Sequence, residues 1–278
     1  FVCTERRSKT GLKVTFFDLN WKKMPFDRHY PSSNTKIEKP KNYKNGLASF
    51  NKNAIKLYSD YFNLLNEGDK VILSKGHASA ALYAVLAEKG FFEKAELTTF
   101  RKLNSKLQGH PSYIKTPGID SSSGSLGQGL SIANGIALSF KLDKKDNFVY
   151  CILGDGEIQE GQIWEAAMSA SKYKLNNLIA FLDNNNLQID GTNDEVMPIA
   201  PIKEKFHAFG FNVKEINGHN FDEIILAVNE CKNQEKPSII IAKTVKGKGV
   251  SFMENRSEWH GKAPKKEEYE KALEELNI

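Results

Sequence analysis

The sequence predicts an α/β fold of three layers, with a mainly parallel sheet flanked by helices. Three observations predict it. Short runs rich in β-branched and aromatic residues stand at 148–153, 178–182, 212–216 and 238–242, each of a length and composition suited to a buried strand. Helix-period segments lie between strands, at about 160–173 and 221–231, and strands alternating with helices build parallel sheets covered on both faces. With 278 residues, 40% of them hydrophobic, the chain is long enough to bury a sizeable core.

The elements follow in order from Gly46. A helix is expected over about 48–65, a second over 77–89 ended by Gly90, and a third over 93–103. The Gly/Ser-rich turn 121–129 leads into an apolar helix at about 130–140, and the strand–helix alternation begins at 148. Residues 1–45 differ: they are rich in Lys and Arg, carry Pro25, Pro31 and Pro40, and show little periodicity. They read as an atypical, poorly ordered arm, with the folded domain spanning 46–278. No internal repeat of fixed period is visible.

Composition excludes several function classes. The net charge of +5 comes without a dense Lys/Arg block between Gly46 and Thr244, so a clustered nucleic-acid surface is not expected. The bias suits small anionic ligands instead. No apolar run approaches the roughly 20 residues of a membrane-spanning helix, and no secretory h-region is present. Cys3, Cys151 and Cys231 are odd in number and far apart, unlike a disulfide framework or a zinc site. A reducing, cytoplasmic location follows. The first residue is Phe1 rather than Met, as in a processed or cropped chain.

The most informative stretch is Gly154-Asp155-Gly156-Glu157, directly after one strand and before a helix. Ligands of open parallel sheets bind at the carboxyl ends of strands. Glycines there let a ligand approach the backbone, and the helix N-terminus favours an anion. Asp183-Asn184-Asn185-Asn186-Leu187 stands at the next strand end. A carboxylate, an amide oxygen and a main-chain carbonyl are hard ligands suited to magnesium with diphosphate oxygens. Adjacent parallel strands lie roughly 5 Å apart, which brings the two tips together. Alone, the first piece is an ordinary tight turn and the second a polar loop. In register, the pair is far more specific.

Gly154-Asp155-Gly156 followed by Asn184-Asn185 resembles the thiamine-diphosphate and magnesium motif. The surrounding words, from Gly154 to Ala166 and Leu187-Gln188-Ile189-Asp190-Gly191, resemble the N-terminal part of transketolases. The likeness runs from about Val71 to the end, and it implies a thiamine-diphosphate-binding fold. It also implies magnesium, or calcium or manganese in its place, held by Asp155, Asn185 and the carbonyl of Leu187. Gly156 and Asn185 would touch the diphosphate. Glu160 matches a family glutamate at the dimer interface, near the partner subunit's cofactor.

Four of the six histidines neighbour a glycine. Taken singly, each is an ordinary loop histidine, although His is the natural proton carrier near neutral pH. Leu73-Ser74-Lys75-Gly76-His77, Gln108-Gly109-His110-Pro111 and Trp259-His260-Gly261-Lys262 all resemble transketolase words. The likeness assigns His77, His110 and His260 to the channel leading to the cofactor, in proton transfer and hydroxyl recognition. His29, His207 and His219 stay structural. Gly124, Ser125 and Leu126 resemble the family segment packed on the cofactor's rings. Lys246 matches a lysine close to the cofactor, with a solvated loop lysine as the plain alternative.

Two departures stand out. The family's early Ser-Gly-His-Pro-Gly word, whose histidine contacts substrate, is missing before Gly46. The chain also stops after Leu276-Asn277-Ile278, short of the family's pyrimidine-binding and C-terminal domains. It therefore resembles the N-terminal subunit of a split transketolase. The likeness implies two-carbon ketol transfer between sugars or sugar phosphates, in carbohydrate metabolism of the pentose phosphate type. It implies a separate C-terminal subunit with the pyrimidine-binding domain, and homodimerisation within a heterotetramer. Two alternatives stay open: a different thiamine-diphosphate enzyme, such as a relative of deoxyxylulose-phosphate synthase or a 2-oxo-acid dehydrogenase subunit, and a non-catalytic, degenerate paralogue.

Overall fold

The computed structural model describes residues 4–8, 11–15 and 64–276. Strands β1 (Thr4–Ser8) and β2 (Gly11–Thr15) pair antiparallel; the rest of the arm, including His29, lies outside the described residues. So do the expected domain start at Gly46 and the expected helix over 48–65, apart from its last two residues, Leu64 and Leu65.

Five strands form the central sheet: β3 (Lys70–Leu73), β4 (Val149–Gly154), β5 (Leu178–Asn184), β8 (Asn212–Asn217) and β9 (Ser238–Lys243). Their order is β3-β4-β5-β9-β8, and every pairing is parallel. Strands β6 (Leu187–Gln188) and β7 (Gly191–Thr192) make a small separate hairpin after β5. Successive strand residues point to opposite faces, and the core divides accordingly. On one face Val149, Cys151, Leu153, Leu178, Ala180 and Leu182 pack against helices α2 (Gln128–Leu142) and α3 (Gly161–Lys172). On the other, Tyr150, Ile179, Ile240 and Ala242 pack with Leu64 and helix α5 (Phe221–Lys232). These layers are the α/β sandwich that the pattern predicts.

Helix α1 (Ser79–Glu88) follows a 3-10 turn at Gly76–Ala78. Helices α4 (Ile202–Ala208) and α6 (Lys266–Glu275) and strand β3 were not expected from periodicity. The helix expected over 93–103 is a correction. Only a 3-10 run forms, Lys94–Thr99. The hydroxyls of Thr98 and Thr99 donate back to the carbonyls of Ala95 and Glu96, Phe100 leaves the helical region at φ -47 and ψ 128, and Arg101 sits at φ 57. Side-chain back-bonding and β-branching compete with a regular helix. Among the described residues no helix is long and apolar enough to cross a membrane.

Candidate cofactor site

All five strands of the sheet end on one edge, and the loops leaving β3, β4, β5 and β9 carry the predicted residues. Gly154 pairs with Asp183, and Asp183 with Ala242, across the sheet. Asp155 caps the 3-10 turn Gly156–Gln159 by accepting from the Gly156 N–H at 2.8 Å. Its other oxygen accepts from the Asn186 N–H. The carboxylate thus stitches the tip of β4 to the tip of β5, and Asp155 is only 2% exposed. Burial is the main influence on its carboxyl, which is raised above the ordinary carboxylate value although two N–H groups oppose this.

Asn185 Oδ1 accepts from the Leu187 N–H at 3.1 Å, a local turn that leaves the amide oxygen a second lone pair. Asn186 takes φ 61, a left-handed conformation that Asn tolerates better than most residues. Its carbonyl accepts from the Asn193 N–H, which anchors the loop beside Leu187. Among the described residues no three His, Cys, Asp or Glu side chains converge as a metal cluster. The expected set contains one carboxylate only, with neutral oxygens from Asn185 and Leu187.

Opposite Asp155 stand the cations. Lys75 Nζ lies 2.6 Å from Asp183 Oδ2, and Thr244 Oγ1 donates to Asp183 Oδ1. Burial pulls the Lys75 amine down, but the carboxylates of Asp183, Asp155 and Glu157 outweigh it and the net shift is upward. Burial pushes Asp183 up, and Lys75 overrides it, holding the carboxyl well below its usual range. Lys246 Nζ is 3.3 Å from His260 Nδ1, and the His260 ring lies 5.0 Å from that of His77. Burial, then the charge of Lys75, lowers the Lys246 amine.

Both histidines are pushed down to about 4. For His77 the causes are burial, then Lys75, His260, Lys246 and His110; for His260 they are burial, then Lys246 and Lys75. Because the folded chain holds these rings neutral where the unfolded chain protonates them, stability falls as pH drops from about 6.5 towards 4. Melting curves across that range should show a loss that His260→Gln reduces. His77 is lowered to the same value, so His77→Gln should reduce the loss as well.

The glycine-rich loop closes the site. A Cβ on Gly76 would meet Ser123 Oγ at 2.7 Å and Gly124 N at 2.9 Å, so these two loops touch through bare backbone. Gly124, at φ 156, leaves 3.4 Å between its missing Cβ and the His110 ring. Tyr83 Oη holds the His110 segment by donating to the carbonyls of Gln108 and His110. Ser123 Oγ is buried with no hydrogen-bond partner among the described residues. A buried orphan hydroxyl facing a cradle of missing Cβ atoms fits an added polar ligand.

The structure therefore gathers Asp155, Gly156, Asn185, His77, Lys246 and His260 at one sheet edge, with His110 and Gly124 on its rim. Ser125 and Leu126 continue the same loop. Glu160 heads α3, exposed, with its Cβ 3.0 Å from the missing Cβ of Gly127. His219 accepts from the Val245 N–H through Nε2, a structural contact as expected. Sequence reasoning missed Lys75, Asp183, Thr244, Ser123 and Glu157. Lys75 stands inside the Leu73-to-His77 word and Asp183 at the head of the asparagine run, and only the long-range pairing between them marks either one.

Residues 59–277 match the family model described as "Transketolase, thiamine diphosphate binding domain". The chain is similar to the 6-deoxy-6-sulfo-D-fructose transketolase subunit SqwG of Clostridium sp. (strain MSTE9), 47% identical over 211 residues, covering 76% of this chain and 77% of that protein. It is similar to an apulose-4-phosphate transketolase subunit of Phocaeicola vulgatus at 43% identity, covering 75% and 74%. Among solved structures it resembles transketolase from Campylobacter jejuni subsp. jejuni, with TM-score 0.75 and 35% identity, over 80% of this chain but only 38% of that one.

Proposed function

The chain belongs to the transketolase family, as the N-terminal subunit of a split member, and from that premise we propose that it holds thiamine diphosphate and a divalent cation for ketol transfer. The observation carrying this reading is the pairing of opposites at one sheet edge. A buried carboxylate, Asp155, is pinned to the Asn186 loop, Lys75 and Lys246 are electrostatically coupled to it, and His77 and His260 stand beside Lys246.

The residues present fit the group. Asp155, Asn185 and the Leu187 carbonyl would hold Mg2+, or Ca2+ or Mn2+ in its place, which offsets the burial cost of the carboxylate. Gly156, Asn185, Lys246, His77 and His260 would hold the diphosphate end, with Lys75 as an added cation, and Gly124, Ser125 and Leu126 the rings. When bound, thiamine diphosphate supplies the carbon nucleophile and electron sink for breaking and making a carbon–carbon bond.

The chain's own residues handle protons and orientation. His77 and His260, pushed down to about 4, are neutral near pH 7, so each ring offers one donor and one acceptor. With the Lys246 ammonium donating to Nδ1 of His260, that ring carries its proton on Nε2, which would donate to a sugar hydroxyl. His110, on the rim, is the third ring for hydroxyl recognition. The substrates proposed are a ketose donor and an aldose acceptor, or their phosphates.

Relatives named as subunits support a separate partner that supplies the pyrimidine-binding domain. The exposed Glu160 would sit where two copies meet in a heterotetramer working in the cytoplasm. A second reading is a non-catalytic cofactor-binding subunit, which would keep the Asp155–Asn186 tie and bind the cofactor without transfer.

A ketol-transfer assay separates the two. Chain and partner, mixed with thiamine diphosphate and Mg2+, should transfer a two-carbon unit within a panel of sugars and sugar phosphates. EDTA should abolish transfer, and Mg2+ or Mn2+ should restore it. Cofactor binding without transfer on any sugar would support the non-catalytic reading.

A further inference from the structure

Glu157 follows the cofactor motif and is only 2% exposed. A buried carboxylate costs free energy unless its oxygens are well bonded. Here Oε1 accepts from the Ser74 hydroxyl and from the Gly127 N–H at 2.9 Å, and Oε2 accepts from the Gly154 N–H at 3.0 Å.

Each donor belongs to a different wall of the site. Ser74 leads directly into Lys75 and His77. Gly127 ends the Ser123-to-Leu126 loop and caps α2 at φ 83, where a helix N-terminus favours a negative charge. Gly154 is the last residue of β4 and precedes Asp155. Between the first two walls the packing is bare. A Cβ on Gly129 would lie 2.5 Å from Ser74 Cβ, so that gap admits no side chain. Contact alone sets the distance of approach between these loops, whereas hydrogen bonds converging on one carboxylate also set their direction.

We infer that Glu157 is a positioning residue, the buried strut that holds the Lys75–His77 loop, the glycine-rich loop and the β4 tip in mutual register for the cofactor. It touches no ligand itself. The inference rests on the cofactor reading above and assigns the registration of three loops to one side chain. Glutamine is nearly the same size but offers one acceptor and a donor, so it must set an N–H against one of the three donors.

The test is calorimetric titration of thiamine diphosphate with Mg2+ into the full chain mixed with its partner subunit, well below the melting temperature. Glu157→Gln should weaken binding at least about tenfold, the equivalent of about 1.4 kcal/mol, and speed amide exchange at Gly127 and Gly154. A residue with a merely structural role would lower the melting temperature and leave the affinity of the folded fraction unchanged. Affinity within twofold of wild type, with unchanged exchange at those two amides, would overturn the inference. Should Glu157→Gln not fold, Ser74→Ala removes one of the three donors alone: a severalfold loss of affinity supports the role, and none overturns it. Absence of binding by the wild-type mixture would instead strike the cofactor reading itself.

Discussion

Asp155→Ala is expected to abolish metal-dependent binding of thiamine diphosphate, with affinity falling at least about hundredfold. Asp155 is the single carboxylate in the expected metal set; Asn185 and the Leu187 carbonyl are neutral and cannot hold a divalent cation against water on their own. The substitution also removes the acceptor for the Asn186 N–H. The asparagine loop then loses its tie to β4. Metal affinity and loop geometry thus fail together. The measurement is titration of cofactor with Mg2+ into the variant, with circular dichroism showing that it folds. Wild-type affinity in a folded variant would remove Asp155 from the metal site.

Much of this arrangement was legible in the residues. The strands at 148–153, 178–182, 212–216 and 238–242 appear within a residue or two as β4, β5, β8 and β9; β4, β5 and β9 are short, mainly buried apolar runs, whereas β8 is an edge strand with only Ile216 buried. Strand β3 escaped notice because Lys70 opens a four-residue edge strand with only Ile72 and Leu73 buried. Helix α6 escaped for the opposite reason: Lys266–Glu275 is almost wholly charged, and only Tyr269 and Ala272 bury a face. The segment 93–103 shows helical spacing, yet its threonines and the turn at Arg101 halt it after a 3-10 run.

Within the site, the residues already matching family words are brought together at one edge, as adjacent parallel strand tips require. The supporting charges were not legible. Glu157 next to Asp155 reads as one more acidic loop residue until its three donors, 3, 30 and 83 positions away in sequence, are seen. Lys75 likewise declares itself only through its pairing with Asp183, 108 positions on. Long-range hydrogen bonds leave no local pattern, so periodicity and spacing cannot report them.

The second large effect concerns sharing of the site. The sheet edge gathers the groups proposed to hold a diphosphate and a metal, but the described residues show no second domain to cover a cofactor's far ring. The chain spans only 38% of the Campylobacter transketolase it resembles, whereas its relatives of similar length are named as subunits. A ligand gripped at one end keeps most of its apolar surface in water and gains little from burial. Closure by the proposed partner would add that burial and exclude water from the histidines.

The direct measurement is therefore calorimetric titration of thiamine diphosphate with Mg2+ into this chain alone and into the chain mixed with its partner subunit. The predicted result is weak or undetectable binding to the chain alone and binding at least about tenfold tighter in the mixture, a gain of about 1.4 kcal/mol. Equal affinity in the two samples would contradict a shared site, and no binding in either, with both proteins folded, would contradict the cofactor assignment.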